Sequence, residues 1–199
     1  MRIEIVVFDG FDEMDAIGPF EMLDSAANAG APFEVALVGS EGPAQIRGQH
    51  GLRMVTTEGI GSPDGIIVPG GGWLNRAPEG AWAQAQRGVL PRRLAELAPK
   101  VRWTASVCSG AMLLAEAGLV KGRPATTNHN LIEALAETGA QAMRRRVVDD
   151  GDVVTAAGLT AGLDLGLWLI EREVSAELAT TVAETMEYRP WNDVWRRPD

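Results

Sequence analysis

Short apolar runs alternate along the chain with longer segments in which apolar residues recur at helical spacing. The runs are rich in β-branched residues and are bounded by Gly, Pro, Asp or Asn, which is typical of buried strands. A hairpin signal, Asp149-Asp150-Gly151, joins the last two of them. We predict strands over residues 3–8, 33–38, 46–48, 52–56, 64–68, 101–107, 125–127, 142–149 and 152–156.

The segments between these runs favour helices. Pro19 suits a first helical turn, and Gly30 and Gly139 lie where helices commonly end. The tail over residues 187–195 is aromatic and lacks a periodic pattern, so we predict that it is irregular. We predict helices over residues 20–27, 78–97, 110–115, 131–138, 157–172 and 176–186.

Strands that alternate with helices predict the α/β class, with a doubly wound, mostly parallel sheet sandwiched by helices, as in flavodoxin-like and Rossmann-like folds. The first strand is interpreted as buried on both faces and is therefore expected near the centre of the sheet. We find no linker and no internal repeat, so residues 1–199 are predicted to form one domain.

Composition and charge exclude several classes of partner. The 199 residues carry a formal net charge of -9, which argues against nucleic acid and anionic membranes as partners. No apolar run approaches the length of a membrane span, and the first strand is too short and too charged for a signal peptide. One cysteine cannot form an internal disulfide, so we expect a cytoplasmic protein.

That cysteine, Cys108, lies at the change from strand to helix. Ser109 and Gly110 are small enough for a sharp turn there, as in a nucleophile elbow. Helix N-termini lower thiol pKa values, so we expect a thiolate near neutral pH. The alternative is that Cys108 is a small buried hydrophobe without chemistry.

Three glycines, Gly70, Gly71 and Gly72, follow the strand over 64–68 and bring bare backbone N–H groups to its end. The loop lacks the lysine of a P-loop and the spacing of a dinucleotide fingerprint, so no nucleotide cofactor is expected. Its N–H groups are candidates to stabilise an oxyanion, and a plain tight turn is the alternative. His50 is expected to be a solvated turn residue.

Taken together, five motifs resemble the ThiJ/PfpI superfamily, whose fold is shared with class I glutamine amidotransferases. The resemblance covers nearly the whole chain and is strongest to the isonitrile hydratase branch, through residues 13–21 and 186–190. The motifs are Asp15-x-x-Gly18-Pro19-x-Glu21, Val68-Pro69-Gly70-Gly71-Gly72, Ser106-Val107-Cys108-Ser109-Gly110-Ala111, Ala125-Thr126-Thr127 and residues 155–164.

The resemblance implies roles for particular residues. Cys108 takes the place of the nucleophile, Asp15 that of its acidic partner, and Ser109 that of the hydroxyl residue after the nucleophile. Backbone donors would come from Gly71 and Gly72. The pocket would be lined by Trp73, Asn128 and His129. Many relatives carry a histidine where Asn128 stands, so a Cys–His dyad is not expected and His129 is not expected to be a base.

We therefore expect a cysteine-dependent enzyme that adds water to an isonitrile without cofactor or metal, with Asp15 as acid and base. The alternative role for Asp15 is that of a helix cap. Other candidates are a glyoxalase-like or deglycase-like activity on small dicarbonyls, and a redox-sensing or ligand-binding domain without turnover. The first helix, with Phe20, Met22 and Leu23, and the aromatic tail predict a homodimer, the usual state in the family.

Overall fold

The computed structural model describes residues 1–198 and confirms a mostly parallel sheet flanked by helices. The strands are β1 (Arg2–Val7), β2 (Glu34–Gly39), β3 (Ala44–Arg47), β4 (Arg53–Thr56), β5 (Gly65–Val68), β6 (Trp103–Val107), β7 (Pro124–Ala125), β8 (Gln141–Ala142), β9 (Val147–Asp149), β10 (Val153–Ala156) and β11 (Val194–Arg196). The helices are α1 (Glu13–Asn28), α2 (Ala81–Arg87), α3 (Val89–Leu97), α4 (Gly110–Glu116), α5 (Ile132–Glu137), α6 (Ala161–Glu173) and α7 (Ala176–Thr185), with 3₁₀ turns at Ala98–Lys100 and His129–Leu131.

Seven strands form the main sheet in the order β11-β9-β10-β6-β5-β1-β2. The pairs from β2 through β10 are parallel, whereas β9 runs antiparallel to β10 and parallel to β11. Helices α1, α6 and α7 pack together on the sheet, and α2 to α5 form a second group. No helix within residues 1–198 is long and apolar enough to cross a membrane.

The sheet places the predicted site residues at one edge. β1, β5, β6 and β10 are adjacent and parallel, so the segments that follow their carboxyl ends meet there. These segments carry Asp15, Gly70 to Gly72, Cys108 and Leu159. Open α/β sheets commonly bind ligands at this edge.

Helix α1 begins earlier than the sequence predicts. Asp12 is its N-cap and accepts from the Met14 N–H, so Asp15 lies in the first turn and Pro19 lies inside the helix. The close approach of α6 favours this arrangement, because a Cβ on Gly162 would lie 2.8 Å from Cδ of Pro19. Asp15 is therefore not the helix cap that was the alternative to a functional role.

Other elements differ from prediction for local reasons. Gly88 adopts a left-handed conformation with φ 68° and divides the helix predicted over 78–97 into α2 and α3. The strand predicted over 142–149 is two short strands, β8 and β9. The tail is not wholly irregular, since β11 pairs with β9 at the sheet edge.

Part of the apolar surface that was expected to form a dimer is buried within the chain itself. Met22 and Leu23 are fully buried within the chain, against α6 and the sheet, and Phe20 is half-buried. Trp191 in the tail is 70% exposed. The first helix therefore supplies less apolar surface than its sequence predicts, because α6 already covers it.

Candidate active site

Cys108 lies in a strained turn between β6 and α4. Its φ is 56°, a left-handed conformation that costs a residue with a side chain about 1–3 kcal/mol. The turn is fixed by its own peptide groups: the Cys108 N–H donates to the carbonyl of Ala157 at 2.9 Å, and its carbonyl accepts from the Thr127 hydroxyl at 2.8 Å. The predicted strand–turn–helix corner is present, and such strain is typical of a functional turn.

Asp15 is a fully buried carboxyl beside this turn. Its Oδ2 accepts from the Gly70 N–H at 3.0 Å, and its Oδ1 is buried without a hydrogen-bond partner among the described residues. Burial, followed by the nearby charge of Asp12, raises the pKa of Asp15 to about 8. Asp15 is therefore mostly protonated at neutral pH, which suits a general acid.

The thiol of Cys108 and the carboxyl of Asp15 influence one another. Burial, followed by the charge of Asp15, raises the pKa of the Cys108 thiol to about 12. The expectation of a thiolate at neutral pH was therefore wrong for the free site, because burial of the thiol outweighs the effect of the two-turn helix α4. The thiol must lose its proton in the course of a reaction.

Two backbone N–H groups favour the anionic sulfur. Those of Ser109 and Leu159 both lower the pKa of Cys108, and the Asn128 amide donates to Sγ at 3.6 Å. Leu159 also has a left-handed conformation, with φ 48°, and its N–H lowers the pKa of Asp15 as well. Sequence analysis missed Leu159 because its contribution comes from the backbone.

The glycine loop does not offer the donors that the sequence predicts. The Gly70 N–H donates to Asp15, the Gly71 N–H to the Ser109 hydroxyl at 3.0 Å, and the Gly72 N–H to Oε1 of Gln49 at 3.0 Å. Gly71 and Gly72 are thus not free oxyanion donors, because side chains of the chain itself accept from them. Ser109 instead links the loop to the elbow.

A cavity of about 430 Å³ opens above Cys108. It contains Cys108, Ser109, Gly71, Gly72, Trp73 and Asn128 of the predicted site, together with Asp12, Gln49, His50, Leu74, Asn75, Leu131 and Leu159. His129 is exposed and lines a neighbouring groove with Arg144 and Trp191. It is not part of this cavity, although Asn128 and Leu131 on either side of it both line the cavity.

Sequence analysis also missed the group of side chains at the cavity mouth. Asp12, Glu13 and His50 bring potential metal-ligating atoms within 4.8 Å of one another, although 37 residues separate Glu13 from His50. His50 is 70% exposed at its side chain, and its Nε2 lies 3.6 Å from Oδ2 of Asp12. Glu13 Oε1 accepts from the N–H groups of His50 and Leu52, so this cluster anchors the loop between β3 and β4.

Comparison with known proteins places this site in a known family. Residues 1–172 match the model of the DJ-1/PfpI family. The chain belongs to the DJ-1/PfpI family. This confirms the resemblance drawn from the motifs around Asp15, Gly70 and Cys108.

Individual members of the family are similar over most of the chain. An isonitrile hydratase from Pseudomonas putida is 30% identical over 193 residues, which cover 96% of this chain and 79% of that protein. The deglycase TK1284 from Thermococcus kodakarensis is 26% identical over 161 residues, covering 78% and 89%. A ThiJ/PfpI family protein from Pseudomonas syringae superposes with a TM-score of 0.83 at 29% identity, covering 95% and 75%.

Proposed function

We propose that this protein adds water to isonitriles, with Cys108 as the nucleophile and Asp15 as the acid and base. The observation that carries the proposal is the buried Asp15 carboxyl, protonated near neutral pH, beside the thiol of Cys108. The similarity to an isonitrile hydratase over 96% of the chain supports the substrate class.

The first step forms a bond between Sγ and the terminal carbon of the isonitrile. The same carbon gains a proton, which Asp15 delivers and then recovers from the thiol, giving a thioimidate. Asp15 next gives its proton to the thioimidate nitrogen, and the resulting carboxylate accepts a proton from the water whose oxygen bonds to that carbon. The C–S bond then breaks as the hydroxyl proton of the adduct passes to sulfur, which releases the N-substituted formamide and returns the thiol.

The hydrogen bonds of the glycine loop favour isonitriles over carbonyl substrates. Attack on a carbonyl builds negative charge on oxygen, and one preorganised donor to such an oxygen contributes about 10²–10³ in kcat. The N–H groups of Gly70, Gly71 and Gly72 are all taken by internal acceptors. Addition to an isonitrile carbon instead requires a proton. The Asp15 carboxyl can donate one near neutral pH, because its raised pKa keeps it protonated.

The test compares two substrates on one enzyme. Purified protein is incubated with cyclohexyl isonitrile or phenylglyoxal, and formamide or 2-hydroxy acid is quantified by mass spectrometry. We expect formamide from the wild type and none from Cys108→Ala. Turnover of phenylglyoxal with no formamide would replace isonitrile hydration by dicarbonyl chemistry. Oxidation of Cys108 by mild peroxide without turnover of either substrate would support a redox sensor.

We also propose that the protein works as a homodimer on a small-molecule substrate. The exposed apolar side chains of Met14 and Leu159, 43% and 42% exposed, support a second copy close to the cavity. Light scattering at micromolar concentration measures the mass directly, and a monomeric mass would refute the assembly.

A further inference from the structure

Gln49 crosses the mouth of the cavity with both ends of its amide engaged. Its Oε1 accepts from the Gly72 N–H at 3.0 Å, and its Nε2 donates to Oδ2 of Asp12 at 2.8 Å. The same Nε2 lies 3.2 Å from Nε2 of His50. Gln49 therefore joins the loop after β5 to the start of α1 through a single side chain.

The position of Gln49 does not depend on these side-chain bonds. Its backbone N–H donates to the Phe11 carbonyl at 2.9 Å, and the N–H groups of His50 and Leu52 both donate to Glu13. Removing the amide of Gln49 thus leaves the loop anchored. The change that follows is local: the N–H of Gly72, which lines the cavity with Cys108, loses its acceptor Gln49.

We propose that Gln49 is a specificity-determining residue, which keeps the Gly72 N–H from acting as an oxyanion donor and so restricts Cys108 to isonitriles. The inference rests on the proposed function for its substrate class. A polarised carbonyl oxygen would compete with Oε1 of Gln49 for this N–H. A carbonyl substrate therefore has to break an existing hydrogen bond before it gains its own.

The excluded reaction is addition of the thiol to a 2-oxoaldehyde. Sγ bonds to the aldehyde carbon, the C=O π pair moves to oxygen, and the thiol proton is transferred to that oxygen to give a hemithioacetal. The negative charge on oxygen is the feature that a free Gly72 N–H would stabilise. An isonitrile does not develop such a charge when sulfur adds to its carbon.

Two variants separate the acceptor role of Gln49 from its donor role. Gln49→Ala frees the Gly72 N–H, whereas Gln49→Glu retains an acceptor for it; both lose the bond to Asp12. Gln45→Ala is the matched control, on the same hairpin but exposed and outside the cavity. Consumption of phenylglyoxal and hydration of cyclohexyl isonitrile are measured for each, with kcat and KM separated. Hydrogen exchange of the Gly72 amide is followed by NMR.

We expect phenylglyoxal turnover to rise at least about tenfold in Gln49→Ala, which is below the roughly 10²–10³ of a fully preorganised oxyanion donor. Gln49→Glu and Gln45→Ala should show no such rise, and the Gly72 amide should exchange faster only in Gln49→Ala. An equal rise in the Ala and Glu variants, or no rise in Gln49→Ala, would overturn the proposal. If the wild type does not hydrate isonitriles at all, the proposed function is refuted. The role of Gln49 is still tested in that case, by comparing phenylglyoxal turnover among the variants.

Discussion

Replacing Asp15 by asparagine tests the central electrostatic feature of the site. Asparagine has nearly the same shape and its carbonyl still accepts from the Gly70 N–H, so the packing of α1 is preserved. It removes the titratable proton. We expect turnover to fall by at least about 100-fold, the lower end of what a general acid contributes.

The same substitution changes stability with a defined sign. In the folded chain Asp15 retains its proton to about pH 8, whereas the unfolded chain releases it near the usual 3.8. Between these values the folded state binds more protons, so the contribution of Asp15 to the free energy of unfolding decreases as pH rises. The limiting slope is about 1.4 kcal/mol per pH unit. Asparagine cannot titrate and does not show this loss.

Urea unfolding of wild type and Asp15→Asn between pH 4 and pH 9 measures the difference directly. We expect the variant to gain on the wild type by about 1.4 kcal/mol per unit between pH 5 and pH 7, and to stop gaining above about pH 8. Asp12 and Cys108 face the carboxyl and are present in both proteins. Glu21→Gln, an exposed change on the same helix, is the control. A pH-independent difference for Asp15→Asn would mean that Asp15 ionises like a surface aspartate.

Three further predictions address the elbow, the neighbouring groove and the packing of α1. Cys108→Gly should exceed Cys108→Ala in stability by about 1 kcal/mol in urea unfolding, because φ 56° favours glycine; a more stable alanine variant would argue against strain. His129→Ala should keep turnover of isonitrile within about tenfold, since His129 lies outside the cavity, and a larger loss in a folded variant would make it catalytic. Gly166→Ala should lower the free energy of unfolding by about 1–3 kcal/mol, because its Cβ would lie 2.6 Å from Cβ of Met22; an unchanged urea midpoint would contradict this.

The sequence predicts those parts of the molecule that depend on local pattern. The strand before Cys108 is rich in β-branched and aromatic residues, and the helix formers begin directly after Gly110, so the elbow is visible in one short stretch. The hairpin at Gly151 is predicted for the same reason, with φ 91° at the glycine. Buried parallel strands and tight turns leave strong local signals.

Features that depend on distant contacts are not visible in the sequence. Pro19 is a common signal for the start of a helix, yet α1 begins at Glu13, and the proline packs against Gly162, which is far away in the chain. The last strand, β11, forms because the edge of β9 is available for pairing. Neither contact can be predicted from local propensity, because tertiary packing determines where α1 begins and whether β11 forms.

The glycine loop shows how the same limit affects a functional interpretation. Three consecutive glycines after a buried strand predict free N–H groups, and an oxyanion hole is the natural inference. Whether those groups are free depends on Asp15, Ser109 and Gln49, which come from three other segments. Because Asp15 and Ser109 accept hydrogen bonds from the loop, the loop supports the Asp15 carboxyl and the turn at Cys108. The proposed function therefore relies on addition assisted by a proton, for which the raised pKa of Asp15 is the property that the proposal needs.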